Sequence, residues 1–263
     1  MAALKKIAIL TSGGDSPGMN AAIRAVARSA IAKGMEAVGV MRGFEGLLDG
    51  DFRPLGARDV GGIIHRGGTI LQTARSTRFM ELQWQDRAAG NLLDAGIQGL
   101  AVIGGGGSFQ GARELQKRGV AVAGIPGTID NDIAGTELAI GFRTAVETAL
   151  DAVMRLRDTA SSHDRLFVVE VMGGRSGFLA LDVAVAGGAE AVIVPEVQFS
   201  LGRLIDRLHE ARKKGKTHSL IILAEGVMPA QELRDRIQDT AGYDARVTVL
   251  GHIQRGGSPC AVD

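Results

Sequence analysis

A chain of 263 residues is long enough for one large α/β domain or two smaller ones with sizeable cores. Its 30 basic and 29 acidic residues leave a formal charge of +1, so no global field draws it to nucleic acid or an anionic membrane, and any anion site must be local. With 38 glycines, few aromatic residues and the single Cys260, it has no stacking surface for bases and no internal disulfide, and a reducing cytoplasm is the expected location.

In chain order, short apolar strands are expected at Ile7 to Leu10, Ala37 to Met41, Leu100 to Ile103, Val120 to Ile125, Leu166 to Met172, Ala191 to Val194, Leu220 to Ala224 and Val247 to Leu250. Helix-period segments lie between most of them, which predicts parallel sheets covered by helices. The opening MAALKKIAIL has too short an apolar stretch for a signal peptide. Gly177 to Val194 is broken by Asp182 and Glu190 and does not read as a membrane span. The helical pattern from Phe142 to Arg157 is placed to bridge two lobes, with Ser161, Ser162 and His163 after it read as a linker.

Two glycine-rich turns follow strands. TSGGDSPGMN comes after the first, with Ser12 to Ser16 as the turn and Pro17 at the first helical position. GGGGSFQGA, Gly104 to Ala112, comes after Leu100 to Ile103, with Ser108 as its helix N-cap. Neither fits the P-loop or the dinucleotide glycine pattern, which argues against a nucleotide-binding oxidoreductase. Loops of this kind after parallel strands converge on one sheet edge, where free amides hold phosphate.

A third strand end, Val120 to Ile125, reads as buried and presents PGTIDND, Pro126 to Asp132. In an extended backbone Thr128, Asp130 and Asp132 share one face, a set suited to proton abstraction from an alcohol by one carboxylate while the other holds magnesium or stays solvated. A loop of Asx-type turn residues is the alternative. On the helix from Pro17 to Lys33, Met19, Ala22, Ile23, Val26, Ala30 and Ile31 form the apolar stripe; Arg24 and Arg28 lie opposite, where a solvated face is the simpler reading. Lys213, Lys214 and Lys216 read as cations at a helix C-terminus.

TSGGDSPGMNAAIR, HRGGT from His65, PGTIDND, RLRDTASSHDR from Arg155, EVMGGRSG and TVLGHIQRGGSP from Thr248 together resemble the bacterial 6-phosphofructokinase family, from Lys5 to the last residue. The resemblance implies α/β architecture with two Rossmann-like lobes: an ATP-binding lobe of residues 1–141 plus 254–263, and a sugar-phosphate lobe of residues 142–253. It implies transfer of the terminal phosphoryl group of ATP to the 1-hydroxyl of fructose 6-phosphate, with Mg2+, in a cytoplasmic homotetramer.

Residue by residue, it makes Asp130 the base, with Thr128 supporting the transferring group and Asp132 beside the metal. Gly14, Arg75, Ser76, Gly105, Gly106, Gly107 and Ser108 match the ATP site, with Arg75 offsetting charge that develops in transfer. Thr128, Ile129, Asp130, Met172, Gly173, Gly174, Glu225, His252 and Arg255 match the sugar-phosphate site. Arg165 and Arg246 match arginines that reach the 6-phosphate from a neighbouring subunit. Arg24, Arg28, Arg157, Gly188, Glu190, Lys214, Lys216 and His218 match an effector site for ADP and phosphoenolpyruvate, with Ala57 and Gly62 standing where some members have an arginine and an acid. Glycine at 107 and 127 favours ATP over pyrophosphate. Gly106 and Gly174 replace a magnesium-holding aspartate and an arginine, and the family continues beyond the position of Asp263. The alternative is therefore a binding-only paralogue or a fragment.

Overall fold

The computed structural model describes residues 4–263. The reading of the opening MAALKKIAIL as too short for a signal peptide falls partly on residues 1–3, outside the described residues.

Close packing divides the chain into two units, Met1–Thr128 with Ile133–Gly141 and Arg255–Asp263, and Ile129–Asp132 with Phe142–Gln254. The sequence reading placed 129–132 in the first lobe. They group with the second because the Ile129 side chain is fully buried in that unit's core, beside Phe142 and Met172.

The first unit is a five-stranded sheet of β1 (Lys6–Ser12), β2 (Glu36–Val40), β3 (Phe52–Pro54), β4 (Gly99–Gly104) and β5 (Ala121–Pro126), in the order β3-β2-β1-β4-β5. All neighbours are parallel except β2 and β3. Helices α1 (Met19–Ala32), α2 (Gly43–Asp49), α3 (Leu82–Asp94) and α4 (Gly106–Lys117) complete it. Alternation along β1 sends Ala8 and Leu10 into a core with Phe44, Leu47 and Leu115, and Ile9 into a second core with Met19 and Ile23. Both faces of the sheet are thus packed, as a parallel sheet requires.

The second unit is a four-stranded parallel sheet of β6 (Leu166–Val171), β7 (Ala191–Ile193), β8 (Ser219–Ala224) and β9 (Ala245–Val249), in the order β7-β8-β6-β9. Its helices are α5 (Phe142–His163), α6 (Phe178–Gly187), α7 (Leu201–Lys213) and α8 (Ala230–Ala241). Phe167, Val169 and Val171 face α5 and α6, whereas Leu166 and Val168 face α7 and α8. No helix among the described residues is long and apolar enough to cross a membrane.

Several expectations change. The fifth strand is an edge strand with Ala121, Ala123 and Gly124 exposed, because it pairs with β4 alone. Pro17 lies in the turn before α1, whose N-cap is Gly18 at φ 95°, a left-handed value that suits glycine. On α1 the buried stripe takes in Asn20 and Ala27, while Ile31 is exposed. Ser161, Ser162 and His163 form the last turn of α5 instead of a linker. Both hydroxyls donate back to the Asp158 carbonyl at 2.9 Å, which satisfies inside the helix the groups that would otherwise compete with it.

Candidate functional site

In the first unit the strand register fixes where the loops emerge. Ser12 pairs with Gly104, and Gly104 with Pro126, so β1, β4 and β5 end in one row. The loops beginning at Gly13, Gly105 and Gly127 therefore leave a single edge, and the Gly127 amide donates to the Gly104 carbonyl at 3.0 Å. Gly105 is the extended N-cap of α4, so the first amides of that helix have no intrahelical acceptor and point outward from the edge. Ser108 is not the cap. It lies buried inside the first turn, and a Cβ added at Gly104 would approach its Oγ at 2.5 Å.

The segment bearing Arg75 and Ser76 is tied to the same edge. Thr11 Oγ1 donates to the Gln72 carbonyl at 3.0 Å, and Thr73 Oγ1 to the Gly13 carbonyl at 2.9 Å. Arg255 belongs here too, with Nη1 donating to the Asp15 carbonyl at 3.2 Å. A Cβ on Gly14 would fall 2.2 Å from that nitrogen, so only glycine lets the guanidinium lie against the loop.

Asn20 was missed by sequence reading; the signal was an amide on the apolar stripe of α1. Its Nδ2 donates to the Arg66 and Gly67 carbonyls, both at 3.0 Å, and its Oδ1 accepts from the Ile70 amide at 2.7 Å, which shapes the HRGGT loop. Asn20→Ala would delete three hydrogen bonds made by a buried side chain to a partly buried loop, and an unfolding titration should show a loss of about 2–3 kcal/mol.

The backbone does not stay extended through PGTIDND. It bends at Ile129 and Asp130, and Asn131 is left-handed at φ 53°, so alternation fails and Asp132 is exposed. Thr128 packs in the first unit and Asp130 in the second.

In the second unit, Val171 pairs with Ala224 and Glu170 with Val249, so Met172, Glu225 and the Leu250–His252 turn follow the carboxyl ends of adjacent strands. Glu225 accepts the Gly174 amide at 2.9 Å, and Ser176 Oγ donates to the Asp130 carbonyl at 2.6 Å. Gly174 is left-handed at φ 60°, and a Cβ there would come within 3.1 Å of Asp130 Oδ2. Any other residue at 174 would be strained and would crowd that carboxylate.

Arg165 and Arg246 stand elsewhere in this unit. Arg165 precedes β6, and Arg246 pairs with Phe167 near the start of β9, at the opposite end of the sheet from Met172 and Glu225. Arg246 is exposed and bound to Asp244 at 2.9 Å. One chain does not bring these two arginines to the strand ends that carry the other sugar-site candidates.

The effector candidates divide similarly. In the first unit Arg24 donates to the Val60 carbonyl at 2.8 Å and Arg28 to that of Ala57 at 3.5 Å, so the pair braces a loop and is not simply a solvated face. In the second, Arg157 donates to the carbonyls of Gly187 and Gly188, and Glu190 accepts from both Lys216 and the Leu220 amide. Lys214 caps α7, and the buried Nδ1 of His218 has no hydrogen-bond partner.

For a metal, the described residues contain no group of three His, Cys, Asp or Glu side chains able to hold an ion. Gly106 supplies no carboxylate, so the residues present do not fit a resident ion.

Two α/β units with glycine-rich loops leaving the carboxyl edge of parallel strands define a phosphate-handling protein of the doubly wound class. The phosphofructokinase family pattern matches residues 6–263, and the chain belongs to that family. It is 54% identical over 260 residues to the ATP-dependent 6-phosphofructokinase of Natranaerobius thermophilus, covering 99% of this chain and 82% of that protein, and 52% identical to that of Halalkalibacterium halodurans over the same shares. Among solved structures, phosphofructokinase from Saccharomyces cerevisiae superposes with a TM-score of 0.93 at 38% identity, covering 98% of this chain and 39% of the yeast chain. A pyrophosphate-dependent phosphofructokinase from Marinobacter aquaeolei, at 22% identity and a TM-score of 0.79, shares the fold; the match covers 96% of this chain and 69% of that one.

Proposed function

We propose that the chain is an ATP-dependent 6-phosphofructokinase, transferring the terminal phosphoryl group of ATP to the 1-hydroxyl of fructose 6-phosphate. The observation that carries this is the row of three strand ends from which both glycine-rich loops and PGTIDND emerge, in a chain 54% identical to relatives of that name. The amides of Gly106, Gly107 and Ser108 hold nucleotide phosphates, with Gly14, Gly105, Ser76 and Thr128 around them. Arg75 offsets the charge that spreads over the transferring group.

Asp130 accepts the proton of the sugar hydroxyl as its oxygen bonds to the terminal phosphorus; the bond to the bridging oxygen breaks and ADP leaves. Ile129, Met172, Gly173, Gly174, Glu225, His252 and Arg255 hold the sugar phosphate. Magnesium arrives on the nucleotide as part of the substrate, with Asp132 as the one acid assigned to it, and no protein step is routed through it. Locating the new phosphate by ³¹P spectroscopy tests the proposal: a product other than fructose 1,6-bisphosphate would sink it.

The distant placement of Arg165 and Arg246 supports their service to a neighbouring subunit, and so a homo-oligomer, with a tetramer as the family's form. Mixing Asp130→Asn with Arg246→Ala chains under exchange conditions should then restore part of the activity that each lacks. No recovery in exchanged hybrids would contradict a shared site. The regulatory part of the proposal is that ADP and phosphoenolpyruvate bind Arg24, Arg28, Arg157, Gly188, Glu190, Lys214, Lys216 and His218, where cations suit anionic effectors.

The binding-only reading is favoured by one observation, the missing carboxylate at 106. A Cβ at Gly106 would meet only Ile133 Cδ1, at 3.9 Å, so an aspartate fits. Gly106→Asp places an acid in the first turn of α4, which has none, and should add about 0.3–1 kcal/mol to stability. It should also tighten Mn2+ binding in the presence of ADP by calorimetry. Unchanged metal affinity in the folded variant would count against a metal role for this position.

A further inference from the structure

Arg75 and Ser76 lie in a segment, residues 72–77, without regular secondary structure. Its entry is held by Thr11 and Thr73 on the β1 edge. Its exit is held by Arg78, which points Nε and Nη2 at one Glu45 oxygen, the Nε bond being 3.0 Å, and also reaches Asp49 at 3.1 Å. Arg42 extends the network to Asp49 and Asp51, both at 3.2 Å. The Phe79 amide donates back to Ser76 Oγ at 3.2 Å, and the Phe79 ring lies 4.3 Å from that of Phe44 beside Glu45. The Arg78 guanidinium, with the Ser76 hydroxyl acting in the same sense, holds the Glu45 carboxyl below the ordinary carboxylate range.

Ion pairs this close to solvent add little to global stability; the side chains of Arg78 and Asp49 are each 38% exposed. Their geometry, by contrast, is specific. A planar fork locks the exit of an unstructured segment to α2 two residues after Ser76. We propose that the Glu45–Arg78 pair is a positioning device for the nucleotide, holding Arg75 and Ser76 in place for the terminal phosphoryl group. This rests on the phosphoryl-transfer reading. Neither Glu45 nor Arg78 need touch the nucleotide.

The test compares Glu45→Gln, Arg78→Met and the double variant with the parent. Each single change should lower kcat/KM for ATP about tenfold, since small misplacements at a phosphoryl site are costly. The double variant should fall no further than the singles, and KM for fructose 6-phosphate should stay within twofold. Trp84, the only tryptophan, lies 5.2 Å from the Arg78 guanidinium, and its emission is followed with a non-hydrolysable ATP analogue, which binds without turnover. The concentration of analogue giving half its emission change should rise about tenfold in Glu45→Gln.

If the parent lacks sugar-dependent turnover while Glu45→Gln still shifts the response to the ATP analogue, the kinase reading fails and the positioning role stands. If the parent turns over and folded single variants keep both values within twofold, the positioning role is overturned. A parent that binds no ATP analogue by calorimetry overturns both.

Discussion

Asp130→Asn should lower kcat with fructose 6-phosphate by about 10²–10⁴-fold, equivalent to roughly 3–5 kcal/mol of barrier. The amide has nearly the same shape as the carboxylate but cannot take a proton from the sugar hydroxyl. The carbonyl of residue 130 still accepts from Ser176, and thermal unfolding checks that the variant is folded. A folded variant with near-normal turnover would remove Asp130 from the base role, and a variant with weakened sugar binding but normal kcat would make it a binding residue only.

The largest stability effect is expected at Gly46. A Cβ there would lie 1.7 Å from the Met41 carbonyl oxygen and 2.7 Å from its carbon, a clash with backbone that no rotamer relieves. Gly46→Ala must therefore push α2 away from the turn after β2, at a cost on the order of 3 kcal/mol. Denaturant unfolding measures this directly. Because Glu45 and Asp49 ride on α2, nucleotide use should fall in the same variant. An unfolding midpoint within error of the parent would show that the turn yields cheaply.

How much was legible in the sequence varied with the physics of each element. The strands expected from apolar runs were all found, the central ones because a parallel sheet packed on both faces imposes such runs. β3 was not expected: its three residues end in Pro54 and pair antiparallel at the sheet edge, leaving too short a pattern to read. The edge position of β5 was also hidden, because Val120 to Ile125 is as apolar as the central strands and only pairing distinguishes them.

Within the site, the convergence of the glycine loops could be argued from strand order alone. The bend at Asp130 could not, since it depends on a left-handed Asn131 and on Ile129 burying itself in the second core. The Glu45–Arg78 fork escaped notice for a different reason: partners 33 residues apart carry no local pattern. Gly174 appeared as a missing arginine, whereas its left-handed backbone makes glycine the unstrained choice.

The most direct measurement is ADP release by the purified chain supplied with magnesium-ATP, with and without fructose 6-phosphate. Release that depends on the sugar phosphate, and that falls by the expected factor in Asp130→Asn, is the result expected of a phosphofructokinase. A folded chain that binds both compounds yet releases no ADP, or releases it equally without the sugar, would contradict that function.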